Sequence, residues 1–190
     1  MLQSSLAFSQ SNPTDIIKSR GKILMVGNSI TFQGDWKKVL QRDDVINWEI
    51  PGYTTEQISW TVKNFIPLNP TVCFLEGGIN DITLGITPER VFTNQVKVLS
   101  TLLVHGIIPV VQSTIYQFNS RDKNARVKEI NGLISTYCIE HQIEYIDLNA
   151  VLSDADELKN EFITDGTHLF PSAYLLWADL VIKELEKLKL

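Results

Sequence analysis

The sequence predicts an α/β protein, a three-layer α/β/α sandwich on a parallel five-stranded sheet. Three observations predict it. Five short runs rich in Val, Ile, Leu and Phe are nearly continuous, as strands covered on both faces are. Stretches of helical periodicity lie between them. No internal repeat, low-complexity segment or interdomain linker interrupts the alternation. Strands alternating with helices make βαβ units and a parallel sheet. Right-handed crossovers then favour a flavodoxin-like strand order, 2-1-3-4-5.

The elements follow in chain order. Lys22 to Val26 is the first strand, and a short helix is expected over Trp36 to Leu40. Val45 to Ile50 is the second strand. Ile58, Val62, Phe65 and Ile66 then form a helical stripe, with Thr55 as its candidate cap. Val72 to Leu75 is the third strand. Phe92, Val96, Leu99, Leu102 and Leu103 form the next stripe, with Thr87 as N-cap and Pro88 at the first helical position. Ile107 to Val111 is the fourth strand; Pro109 sits near its start, where a missing N–H is tolerable. Val127, Ile130, Ile134, Tyr137 and Cys138 share one helical face, and Glu144 to Leu148 is the fifth strand. A last helix starts near Pro171-Ser172 and carries Ala173, Leu176, Trp177, Leu180, Val181, Leu185 and Leu188.

Bulk properties narrow the function. A chain of 190 residues suits one domain, here 21–190, with a sizeable core. The net charge of -5 argues against nucleic acid or anionic lipid as the main partner, since both need a basic face. No apolar run approaches the roughly 20 residues of a membrane span. The two cysteines, Cys73 and Cys138, fall in a strand-like run and on a helical face, and read as buried free thiols. Residues 1–20 read either as an N-terminal extension or as the remnant of a signal peptide, because Ala7 and Ser9 have small-x-small spacing but no basic region precedes them. The compartment stays open between export and cytoplasm, and the oligomeric state is unknown.

The chemistry gathers at strand ends. In open parallel sheets ligands bind beyond the carboxyl ends of the strands, where strand order reverses. Gly27-Asn28-Ser29 follows the first strand and places a hydroxyl there. Gly52 follows the second strand and Asn80 the third, while Asp165 and His168 lie in the last loop. A serine hydroxyl is a poor nucleophile until a base takes its proton. Of the three histidines, His105 and His141 sit near helix C-termini, and His168 stands apart in a Gly-containing loop. Asp165, three residues earlier, is placed to fix the imidazole tautomer. An oxyanion needs preorganised donors, and the N–H groups of Ser29 and Gly52 and the Asn80 amide are candidates. Each motif alone is a common turn or cap. Asp165 and His168 lack a third metal ligand at a recognisable spacing, so no metal is expected. No Gly-x-Gly-x-x-G or Walker pattern follows the first strand, which disfavours nucleotide binding there.

Taken together and in this order, the Ser turn, Gly52, Gly78-x-Asn80-Asp81 and Asp165-x-x-His168 resemble the SGNH (GDSL-type) hydrolase family of esterases and lipases. The resemblance runs from about Lys22 to the last helix. It implies Ser29 as nucleophile, Asp165 and His168 as its partners, and Ser29, Gly52 and Asn80 as the oxyanion hole. It also implies an ester hydrolase that needs no cofactor. The family block usually reads Gly-Asp-Ser; this chain has Asn28, which keeps the acceptor oxygen but loses the charge. The expected substrate is a small-molecule or glycan acyl ester, with acetyl on a carbohydrate or small alcohol preferred. Lysophospholipase or thioesterase activity, or a silent binding domain, are the alternatives. Phe32, Trp36, Tyr53, Phe118 and Phe170 are candidates to ring the site.

Overall fold

The computed structural model describes residues 22–190. The expectation for 1–20 therefore lies outside the described residues. Five parallel strands form the main sheet: β1 (Ile23–Gly27), β2 (Val45–Glu49), β3 (Val72–Leu75), β4 (Ile108–Gln112) and β5 (Glu144–Ile146). Their order is β2-β1-β3-β4-β5, as the alternation predicts. The helices are α1 (Ser29–Phe32), α2 (Trp36–Leu40), α3 (Thr55–Phe65), α4 (Ile79–Thr83), α5 (Pro88–Val104), α6 (Arg121–His141), α7 (Asn149–Leu152) and α8 (Pro171–Leu188). A two-stranded hairpin, β6 (Ser153–Asp154) with β7 (Glu157–Leu158), follows α7.

Strand alternation sorts the apolar residues into two cores. Ile23, Met25, Val72, Phe74 and Val110 meet Trp36 of α2 and Trp177 and Val181 of α8 on one face. Leu24, Val26, Cys73, Leu75 and Val111 meet Ile58 of α3, Leu99 of α5 and Ile134 of α6 on the other. Cys73 and Cys138 are both buried and free. Among the described residues no helix is long and apolar enough to cross a membrane.

Two local expectations need correction. The cap of α3 is Thr54, not Thr55: Thr54 Oγ1 accepts from the Gln57 N–H and Gln57 Oε1 accepts from the Thr54 N–H. Thr55 is the first helical residue and its side chain turns inward. In α5 the buried face is Val91, Asn94, Gln95, Val98, Leu99 and Leu102, while Leu103 is 49% exposed. The face is rotated because two polar residues belong to it. Asn94 Nδ2 donates to Thr55 Oγ1 and Gln95 Nε2 to the Gly77 carbonyl.

Candidate active site

Ser29 sits at the first position of α1, immediately past the end of β1. Its N–H therefore has no intrahelical acceptor. Asn28 is the N-cap, fully buried, and its Oδ1 accepts from the Ile30 N–H at 2.8 Å. The oxygen thus serves the cap that an aspartate oxygen would serve. Asn28 Nδ2 has no hydrogen-bond partner among the described residues.

His168 comes to Ser29 from 139 residues away in sequence, with Nε2 at 3.0 Å from Ser29 Oγ. On the other side of the ring, Nδ1 lies 2.7 Å from Asp165 Oδ2. Asp165 Oδ1 also accepts the backbone N–H groups of His168, at 2.9 Å, and Thr167, at 3.1 Å. These donors, led by the His168 N–H, hold the Asp165 carboxyl down at about 2. The carboxylate therefore stays ionised down to about 2. Backbone pairing of Thr164 N–H with the His168 carbonyl, and of Phe170 N–H with the Phe162 carbonyl, shapes the loop.

The loops after β2 and β3 meet each other. Asn80 Nδ2 donates to the Tyr53 carbonyl at 2.9 Å, so one amide hydrogen is fixed and the other is left to point elsewhere. Buried Asp81 accepts from Thr55 N–H at 2.9 Å and from Thr55 Oγ1 at 2.7 Å. Adjacent residues of α4 thus both bind the segment that follows Gly52, at Tyr53 and at Thr55. Gly52 has φ +81, a left-handed conformation that favours glycine.

The predicted rim residues divide. Phe32 and Phe170 are 56% and 45% exposed, and Tyr53 and Phe118 are half-buried in loops. Trp36 is not a rim residue. It is fully buried against Tyr174 and Trp177, with Nε1 donating to the Thr31 carbonyl. A ring in the first turn of an amphipathic helix is driven to the core by its area. A polar cavity of about 440 Å³ beyond β5, lined by Tyr116, Lys128 and Asp147, holds none of the predicted site residues. Among the described residues no group of three or more His, Cys, Asp or Glu could hold a metal ion.

Such an arrangement can pass a proton from a hydroxyl to an imidazole while a carboxylate steadies the charge. A profile of the GDSL-like Lipase/Acylhydrolase family matches residues 25–176. The chain belongs to that family. That family is one of lipases and acylhydrolases. A GDSL-like lipase from Bacteroides thetaiotaomicron VPI-5482 has the same fold, with a TM-score of 0.80 at 19% identity over 90% of each chain. A lipase/acylhydrolase from Enterococcus faecalis superposes with a TM-score of 0.73 at 20% identity, over 87% of this chain and 96% of that one. An N-acylneuraminate cytidylyltransferase of Streptococcus agalactiae is 29% identical over 157 residues. That match takes in 78% of this chain but only 38% of the relative.

Sequence reasoning missed Thr31 of α1 and the two residues that bond the helix from outside, Glu76 and Tyr174. The available signal was Glu76 itself, a charged residue extending the apolar run Val72 to Leu75.

Proposed function

We propose that this esterase cleaves short-chain acyl esters, acetyl esters of carbohydrates or similar small alcohols, through an acyl-enzyme on Ser29. The observation that carries the reading is the hydrogen-bonded series Asp165–His168–Ser29, at 2.7 and 3.0 Å. Ser29 Oγ attacks the ester carbonyl as His168 Nε2 takes its proton. Asp165 holds the ring in the tautomer that presents Nε2 and stabilises the imidazolium. The N–H groups of Ser29 and Gly52 and the second Asn80 amide hydrogen receive the oxyanion; losing one such donor costs about 10²–10³ in rate. The imidazolium returns its proton to the leaving alcohol. Water, deprotonated by the same ring, then releases the acid and frees Ser29.

A carbohydrate alcohol is supported by the partial likeness to a protein named for an acidic sugar, N-acylneuraminate. The exposed rings of Phe32 and Phe170 leave acyl length as the variable to measure. The decisive experiment compares wild type with Ser29→Ala on p-nitrophenyl esters of increasing chain length and on acetylated sugars, O-acetylated N-acylneuraminate included. Fastest turnover on acetyl esters, abolished by Ser29→Ala, is expected. Equal rates for the two proteins would remove Ser29 from the mechanism, and fastest turnover on long acyl chains would move the substrate to lysophospholipids or long thioesters.

A further inference from the structure

Helix α1 carries Ser29 and is four residues long. So short a helix has no stability of its own, and neighbours fix it. Asn28 caps Ile30, Tyr174 Oη donates to the Ile30 carbonyl at 2.6 Å, and Trp36 Nε1 donates to the Thr31 carbonyl at 2.8 Å. One further contact is of another kind. Thr31 Oγ1 donates to Glu76 Oε2 at 3.0 Å, with both residues fully buried. Gly27 makes room for it, since a Cβ there would lie 2.1 Å from Thr31 Oγ1. Glu76 is anchored in turn: its N–H donates to the Val26 carbonyl at 2.9 Å, at the junction of β1 and β3.

A buried glutamate in that place destabilises the fold. Its Oε1 has no partner among the described residues. Nor does Nε2 of Gln112, which follows the Leu75–Val111 register pair as Glu76 does; Gln112 Oε1 accepts from Trp177 Nε1 at 2.5 Å. Two ionisable groups on packed elements interact electrostatically with Glu76, Asp81 of α4 and Tyr174 of α8. Burial pushes the Glu76 carboxyl up to about 7, with Asp81 adding to the rise and the Thr31 bond opposing it. A leucine would fill the space without this cost, but it could not hold Thr31.

We propose that Glu76 is a positioning residue for the nucleophile: through Thr31 it fixes the rotation of α1 that aims Ser29 Oγ at His168 Nε2. The inference rests on Ser29 being the nucleophile. Glu76 itself touches no reacting atom.

The test measures kcat and KM on p-nitrophenyl acetate, and the rate of Ser29 labelling by a fluorophosphonate. Glu76→Ala and Thr31→Val should each lower kcat and labelling about tenfold to a hundredfold, with KM within about twofold, as misaligned reacting groups do. The double variant should be no worse than either single one, because both remove one bond. Thr31→Ser and Glu76→Gln keep the bond and should restore the rate. Wild-type kcat in Thr31→Val, or Thr31→Ser as slow as Thr31→Val, overturns the proposal, and this pair decides even where Glu76→Ala fails to fold. Ser29→Ala separates the two levels. Labelling that survives in it removes the nucleophile itself; a silent Ser29→Ala beside a normal Thr31→Val removes only the role of Glu76.

Discussion

The two halves of the proposed site are built in opposite ways. The Asp165–His168 half is a surface loop, its carboxylate side chain 57% exposed, held by bonds between residues two to four apart. The Ser29 half is a buried turn held by side chains from α2, from Glu76 just past β3, and from α8, the last 144 residues away. The difference has a chemical reason. A base must exchange protons with water and can be oriented by one local carboxylate. A nucleophile must be located to a fraction of an ångström, and a four-residue helix gets that only from the core around it.

The largest effects should come from the exposed half, and they should be purely chemical. His168→Ala is expected to lower kcat by about 10⁴ or more, with the melting temperature unchanged within error. Asp165→Asn should cost about 10²–10⁴ by loosening the tautomer. In the wild type, kcat/KM should fall in acid by the uptake of one proton on the imidazole. Asp165 adds no second step, because its carboxyl stays ionised down to about 2. Steady-state kinetics across acid pH checks this; a two-proton limb would mean that the carboxylate titrates with the ring.

The buried half should answer the other way, in stability first. Trp36→Ala should cost about 3–5 kcal/mol by leaving a cavity beside Tyr174 and Trp177. It should also slow turnover, since Thr31 loses the indole donor. Urea unfolding and the acetate assay together separate the two losses. A variant stable to within about 1 kcal/mol of wild type would show that the site can collapse, against the usual behaviour of large core rings.

The same contrast decides what was legible in the sequence. Asp165-x-x-His168 reads directly, because its bonds are local and its spacing encodes them. The sheet order reads equally well from β-runs separated by helical stripes. The burial of Trp36 is not legible, because local sequence does not say which way a first-turn ring faces. Of the α5 stripe, Phe92, Val96, Leu99 and Leu102 reach the core and Leu103 does not; Asn94 and Gln95 look solvent-facing in the sequence until Thr55 and Gly77 arrive to bond them. Glu76 and Thr31 are 45 residues apart, and no local pattern joins them.

A subtler effect is the pH dependence of stability. Glu76 moves from 4.5 to about 7 on folding, and Glu49 at the end of β2 to about 8, both through burial. A carboxyl whose folded value is raised binds more protons folded than unfolded between those limits. The cost of holding it ionised is therefore absent below 4.5 and grows, lowering stability, as pH rises to about 7 or 8. The loss from Glu76 is on the order of 3 kcal/mol. Urea midpoints should fall from pH 5 to pH 8, and Glu76→Gln should remove the part of the fall that ends near pH 7, leaving the part due to Glu49. A pH-independent midpoint in the wild type would mean that Glu76 is ionised throughout.

The smallest expected effect tests the one residue by which this chain departs from Gly-Asp-Ser. Asn28 Oδ1 caps Ile30, and its amide nitrogen bonds to nothing among the described residues. If only the oxygen matters, Asn28→Ala should cost about 1 kcal/mol, the usual loss for a cap, and should slow turnover because Ser29 is the next residue. Asn28→Asp keeps the oxygen and should restore turnover. The position is fully buried, so the restored cap comes with a carboxyl that burial pushes toward its protonated form. Asn28→Asp should therefore match wild type in rate near neutral pH and differ from it in how stability changes with pH. Comparing the three proteins by urea titration at two pH values and by the acetate assay resolves the oxygen from the charge. An Asn28→Asp rate as low as that of Asn28→Ala would show instead that the neutral amide is itself required.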